Sequence, residues 1–203
     1  MAETAQKREL NTTESTTAQK RELNTTEAKS GLQIADLVLV AVLIAAGAVL
    51  KLVVGMLFQG GVKPNFMIAA YCLALLLIKP KSIGQGMAYG AVIGLITGAV
   101  CQIPLLCGTP FVNFLSEFLG GVAMGIFAAM PHKEGKADLR ATIGTFIATF
   151  VSGASFSIIA TIVRSMDAMA GLVQFGPIVI VTAILNAIIV GILIIPLRKA
   201  LNK

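Results

Sequence analysis

Gln59–Phe66 reads QGGVKPNF, a polar turn set between two apolar runs, Ile34–Val54 and Phe66–Ile78. Pro64 pushes Lys63 out of the α region, and Gly60-Gly61 opens backbone conformations that other residues avoid. One helix must therefore stop before this turn and another start after it. The run that follows has 13 residues, which as a helix spans about 20 Å of a hydrocarbon core about 30 Å thick. Either that helix starts below the outer surface, with residues 59–65 dipping in, or the bilayer thins around it.

The rest of the chain explains why a membrane is the right frame. Of its 203 residues 56% are hydrophobic and only 13% charged, with a mean hydropathy of +0.87. Such a composition makes lipid the solvent for most of the chain. The apolar runs are long and unbroken instead of alternating, which argues for an all-α membrane protein and against a barrel. Six segments are expected, at about 34–54, 66–78, 84–103, 111–130, 141–163 and 176–197, with 164–174 a connection. Together they make a membrane domain over 32–203.

Residues 1–31 form a polar tail in which TAQKRELNTTE at Thr4–Glu14 recurs unchanged at Thr17–Glu27. Neither copy carries an apolar face worth burying, so the tail is expected to be disordered. No cleavable signal is expected, because the first thirty residues are polar and the first apolar run is of full membrane length.

An even number of crossings puts both termini on one side. That side would hold thirteen of the sixteen lysines and arginines, and the other only Lys51, Lys63 and Arg164. The asymmetry predicts cytoplasmic termini and an outward-facing QGGVKPNF turn. It also accounts for the net charge of +6 as topology, so nucleic acid is not an expected partner.

Polar groups near the outer face are the informative ones. Glu117 is the only acid in the middle of a segment, and its burial costs several kcal/mol unless it is paired, bonded or protonated. It is a functional candidate, against the plainer reading of an ion pair with Lys63, Lys51 or Arg164. Asn113 precedes it by one turn on the same face, with Phe111, Phe114 and Phe118 nearby. Asn186, Ser152, Ser155 and Ser157 are placed to complete a pocket wall, although serines in helices more often bond a local carbonyl. The third segment carries Gly86, Gly90, Gly94 and Gly98 at four-residue spacing, a stripe for close helix packing. Ala41, Ala45 and Ala48 and, in the last segment, Ala183, Ala187 and Gly191 make further small-residue faces.

Other chemistry is missing from the sequence. No phosphate-binding loop is present, so the chain is not expected to hydrolyse ATP. The single histidine, His132, stands alone in a polar loop, and Cys72, Cys101 and Cys107 lack metal-ligand spacing. Neither a metal site nor an enzyme is expected.

Six short segments, the Ala41/Ala45 pair and the absence of an ATPase resemble the substrate-binding S component of an energy-coupling factor (ECF) transporter. The resemblance covers about residues 32–200. GGVKPNFMIAA followed by a glycine-rich third helix is most similar to the tryptophan-transporter-like branch; S components for pantothenate and for the thiamine pyrimidine precursor share the fold. The resemblance implies a six-helix bundle in a prokaryotic plasma membrane. It implies capture of a micronutrient outside, then delivery inward with a transmembrane coupling subunit and two ATPases that carry ATP and Mg; the chain itself needs no cofactor. By position, it makes Gly60, Gly61 and Pro64 the hinge of a lid, and Ala41, Ala45 and Ala48 the docking face. Lys63, Asn65, Asn113, Phe114, Glu117, Arg164 and Asn186 are then the expected substrate contacts. A zwitterion such as tryptophan would use both Lys63 and Glu117, whereas an anion such as pantothenate would need only the cation. A self-sufficient secondary carrier or channel is the competing expectation; inverted repeats would favour it, and residues 34–103 show no convincing similarity to 111–197.

Overall fold

The computed structural model describes residues 31–57, 63–103, 110–132 and 138–202. The expected lid glycines, Gly60 and Gly61, and the duplicated tail lie outside the described residues. By its internal contacts the chain divides after Leu37, and everything below concerns the unit from Val38 onward.

Every regular element among the described residues is helical: α1 Ile34–Leu57, α2 Phe66–Ile78, α3 Ile83–Val100, α4 Pro110–Ala128, α5 Thr145–Val163 and α6 Ala168–Ala200. A π-helical turn, Arg140–Gly144, leads into α5. All but α2 are long and apolar enough to cross a membrane, the pattern of a multi-pass membrane protein.

The short helix is the centre of the bundle. Met67 to Leu77 are buried without interruption, so α2 has no polar face because no side of it meets solvent. It stops at Lys79, whose left-handed backbone (φ 54°) turns its N–H onto the Leu75 carbonyl ahead of Pro80. Val40, Ile44 and Gly47 form the buried stripe of α1. A Cβ at Gly47 would stand 2.7 Å from the Phe66 carbonyl oxygen and 2.9 Å from the Ala70 Cβ, so glycine is what lets α1 approach the start of α2.

The glycine stripe of α3 packs as its spacing predicts, and α4 answers with glycines of its own. A Cβ on Gly86 would strike the Gly125 carbonyl, and one on Gly125 the Gly86 carbonyl; Gly90 and Gly121 stand in the same mutual relation. Further up, Gly94 abuts the Glu117 backbone and Gly98 that of Phe114. Backbone-to-backbone packing of this kind holds helices together where lipid supplies no hydrophobic drive.

The last helix departs from expectation. It was to begin at Gly176 after a connection at 164–174, but α6 starts at Ala168 and runs 33 residues with Pro177 and Pro196 inside it. Asp167 explains the early start: its extended backbone caps the helix, and its carboxylate accepts from the Met169 N–H at 2.9 Å and the Ala170 N–H at 3.3 Å. Pro177 removes one donor without ending the helix.

At the end where α4 finishes and α5 begins, charges set aside as topology form a structural knot. Asp138 accepts from Arg140 Nε at 2.9 Å and from Arg198 at 2.6 Å, with His132 Nδ1 at 3.6 Å. Arg140 also donates to the Met130 and Ala128 carbonyls that α4 leaves unsatisfied at its C-terminus. Burial raises the Asp138 carboxyl pKa, but the two guanidiniums outweigh it and hold it down to about 2. Three elements are thereby tied by one carboxylate.

Candidate functional site

At the other end of α4, α5 and α6 lies a cavity of about 400 Å³. Its position follows from how the 63–65 segment is held. Pro64 disfavours the helical region for Lys63 before it, and the carbonyls on either side of the proline are bonded from α6. The Lys63 carbonyl accepts from Thr182 Oγ1 at 3.2 Å, and the Asn65 carbonyl accepts from Asn186 Nδ2 at 3.2 Å as well as from the Ala69 N–H at 3.1 Å. Asn65 occupies the N-cap of α2 (φ −90°, ψ 88°) without using its side chain for the cap. Its amide instead donates to Glu117 Oε1 at 3.4 Å. Residues 63–65 are thus stitched to α4 and α6 by three long-range hydrogen bonds.

The cavity is lined by groups of both charges. Lys51 and Lys63 are half-buried and line it together with Pro64. Ser116, Glu117, Thr149 and Ser152 line the deep part, none of them more than 2% exposed. Behind them Asn186, fully buried, also donates to Thr149 Oγ1 at 3.3 Å. The Ser116 hydroxyl donates to the Asn113 carbonyl at 3.0 Å. The Asn65 and Asn186 Oδ1 atoms are buried and accept no hydrogen bond among the described residues. The Tyr71 hydroxyl is also buried without a hydrogen-bond partner among the described residues.

Of the expected contacts, Lys63, Asn65, Asn113 and Glu117 do meet at this cavity, with Pro64, and Asn186 supports them from behind. Two do not. Phe114 turns its backbone and ring to Gly98 of α3 and is 39% exposed; one residue after Asn113, it is rotated about 100° from it around the helix. Arg164 caps the end of α5 and lies over the Phe175 ring, 5.9 Å from its centroid. Phe175 in turn meets Phe156, a cavity residue, edge-on at 5.9 Å, so Arg164 is two rings removed. Among the serines, Ser157 bonds the Gly153 carbonyl at 2.7 Å as helix serines commonly do, and Ser152 faces the cavity.

Sequence reasoning overlooked Thr149 and Thr182 and treated Lys51 only as an ion-pair partner. Thr182 stands one turn before Asn186 and Thr149 three residues before Ser152, so helical spacing from residues already singled out would have found both. Ala41 and Ala45 are exposed and Ala48 is half-buried; the three lie about 100° around α1 from its buried Val40–Ile44–Gly47 stripe, and Ala48 packs against the core. Compared with protein-family models, curated proteins and solved structures, the chain matches none.

Proposed function

We propose that the chain is the substrate-binding membrane subunit of an ATP-driven importer of the energy-coupling factor type, taking up a vitamin or related micronutrient. The observation that carries the proposal is the cavity itself. It is lined by a proline-containing segment, two half-buried lysines and a buried glutamate, and is of the size and polarity of small-molecule sites. On this reading the energy comes from ATP, so a coupling subunit and two ATPases are assigned as partners. The exposed Ala41–Ala45 side of α1 is their docking face. On this reading all six helices sit in a prokaryotic plasma membrane with both termini in the cytoplasm, as the lysine and arginine distribution requires, and the chain is not an enzyme.

Affinity purification of the full chain from its own cells tests this. Co-purification of a coupling subunit and two ATPases, with uptake abolished by ATP depletion, is the expected result. Mass spectrometry of the small molecule retained in detergent would name the cargo.

A second reading, a self-sufficient carrier, draws on one specific observation: Glu117 is a membrane-buried carboxylate beside a ligand-sized cavity, the kind of group that couples proton or sodium movement to transport. Gradient-driven uptake into liposomes containing only this chain would establish that reading and displace the first.

A further inference from the structure

The cavity and the Asp138 clamp are joined by one seam between α5 and α6, which close contacts mark from end to end. A Cβ on Gly171 would strike Thr161, one on Gly153 would stand 2.8 Å from Val179, and one on Gly191 would stand 2.9 Å from Thr142 Oγ1. Between the last two pairs Asn186 bonds Thr149 at 3.3 Å. Residue numbers fall along α5 as they rise along α6, so the two helices are antiparallel. The cavity is lined from the Thr149–Phe156 stretch of α5 and from Ile178, Val179 and Thr182 of α6. Beyond Thr142 and Gly191 the seam ends in the ion pairs of Asp138 with Arg140 and Arg198. Nine residues separate Arg140 from Thr149, about 13 Å of helix, and Thr145 and Ala148 on α5 and Ala187 and Val190 on α6 are buried within that span.

We propose that α6 is a gate arm, hinged at Pro177 and latched by Arg198 on Asp138, whose release parts α6 from α5 and opens the cavity toward the clamp. The proposal rests on the cavity being a ligand site, which the importer and carrier readings share. Pro177 stands beside the cavity residue Ile178 and has no N–H for the Val173 carbonyl, so the helix bends there most readily. From Pro177 to Arg198 the arm measures about 31 Å, and a change of about 10° at the hinge moves its far end by about 5 Å. Near the hinge the helices touch closely through Gly153 and Gly171, whereas the far end is held by charge. The Arg140 and Arg198 side chains are 14% and 16% exposed, so water can take over their bonds when Asp138 lets go. On the α5 side the clamp adjoins the π-helical turn Arg140–Gly144, a break in regular helix of the kind that recurs where helices work. The clamp also holds the end of α4 through Arg140, so it ties the same three helices, α4, α5 and α6, that line the cavity.

The test is alkylation of the full chain in sealed vesicles by a charged maleimide that does not cross membranes. Cys72, Cys101 and Cys107 are changed to alanine, and one new cysteine is introduced at a time. Leu201→Cys, exposed just past α6, identifies the face that carries the clamp. From that face Thr145→Cys and Val190→Cys, at positions fully buried in the closed seam, should react about ten-fold or more faster once Asp138→Asn is added. Arg198→Gln, which leaves Asp138 paired with Arg140, should do the same and keeps the test available where Asp138→Asn does not assemble. Asp138→Glu, which retains the charge, should leave both reporters slow, and Pro177→Ala should take back part of the gain by stiffening the hinge. Ile93→Cys, buried on α3 away from the seam, should not change. No acceleration in either latch variant overturns the gate. Equal acceleration at Ile93→Cys also overturns it, since the clamp would then only stabilise the bundle, and a gain undiminished by Pro177→Ala overturns the hinge. None of these outcomes requires a ligand or the ATPases, so the importer reading is decided separately by its own co-purification.

Discussion

Asn186 on α6 donates its side-chain amide to the backbone carbonyl of Asn65, 121 residues earlier, at 3.2 Å. The same nitrogen reaches Thr149 on α5 at 3.3 Å. One fully buried amide thereby joins α5, α6 and the segment that roofs the cavity. Replacing it with leucine keeps the volume but removes both bonds, and Thr149 is left with a buried hydroxyl and no donor. Asn186→Leu should lower unfolding free energy by about 1–2 kcal/mol, in the upper part of the range for polar contacts between membrane helices. Thr149→Val added to it should cost much less than it does alone, because the partner is already gone. Strict additivity in thermal unfolding of the four proteins would show that the contact contributes nothing.

The reciprocal glycines of α3 and α4 make a second, sharper expectation. At Gly90 and Gly121 an added methyl would collide with backbone atoms that cannot rotate away. Gly90→Ala or Gly121→Ala should therefore destabilise by about 1–3 kcal/mol or more, with the helices forced apart along their whole contact. Gly84, at the start of the same helix, has nothing within 4 Å of its Cβ position, so Gly84→Ala should be neutral or slightly stabilising. Scanning both in a detergent melting assay checks the argument, and equal effects at the two positions would refute it.

These cases also show what one chain can reveal of its own fold. The α3 stripe was legible because small residues at four-residue spacing define a face whatever packs on it. Gly121 and Gly125 were not read as its partners, since which helix meets which is a tertiary fact with no trace in local spacing. Glu117 stood out because a charge is expensive at that depth, whereas Asn65 entered only by its position in the turn that the family resemblance makes a lid. Phe114 was drawn in by proximity in sequence, and helix phase sends it to α3 instead. The early start of α6 was missed because Asp167, a capping residue in plain view, was not weighed. Asp138 was invisible for a different reason: it lies in a polar loop, and one of its two arginine partners is 60 residues away.

That Asp138 knot carries a pH dependence whose sign can be worked out. Its carboxyl is held at about 2 in the folded chain against an ordinary value of 3.8, because Arg140 and Arg198 more than offset the opposing effect of burial. A group whose folded pKa is depressed contributes stability above its unfolded pKa and loses it as pH falls through the folded one. The contribution should be intact above about pH 4 and fade between about pH 4 and pH 2, as protonation releases Arg198 from α6 and lets Arg140 leave the end of α4. Asp138→Asn should melt lower than the parent at neutral pH and show a flatter acid limb, the two curves converging near pH 2. Melting temperatures followed from about pH 7 to pH 2 make the comparison. Parallel acid limbs for the two proteins would mean that the clamp on α4 and α6 does not depend on this charge.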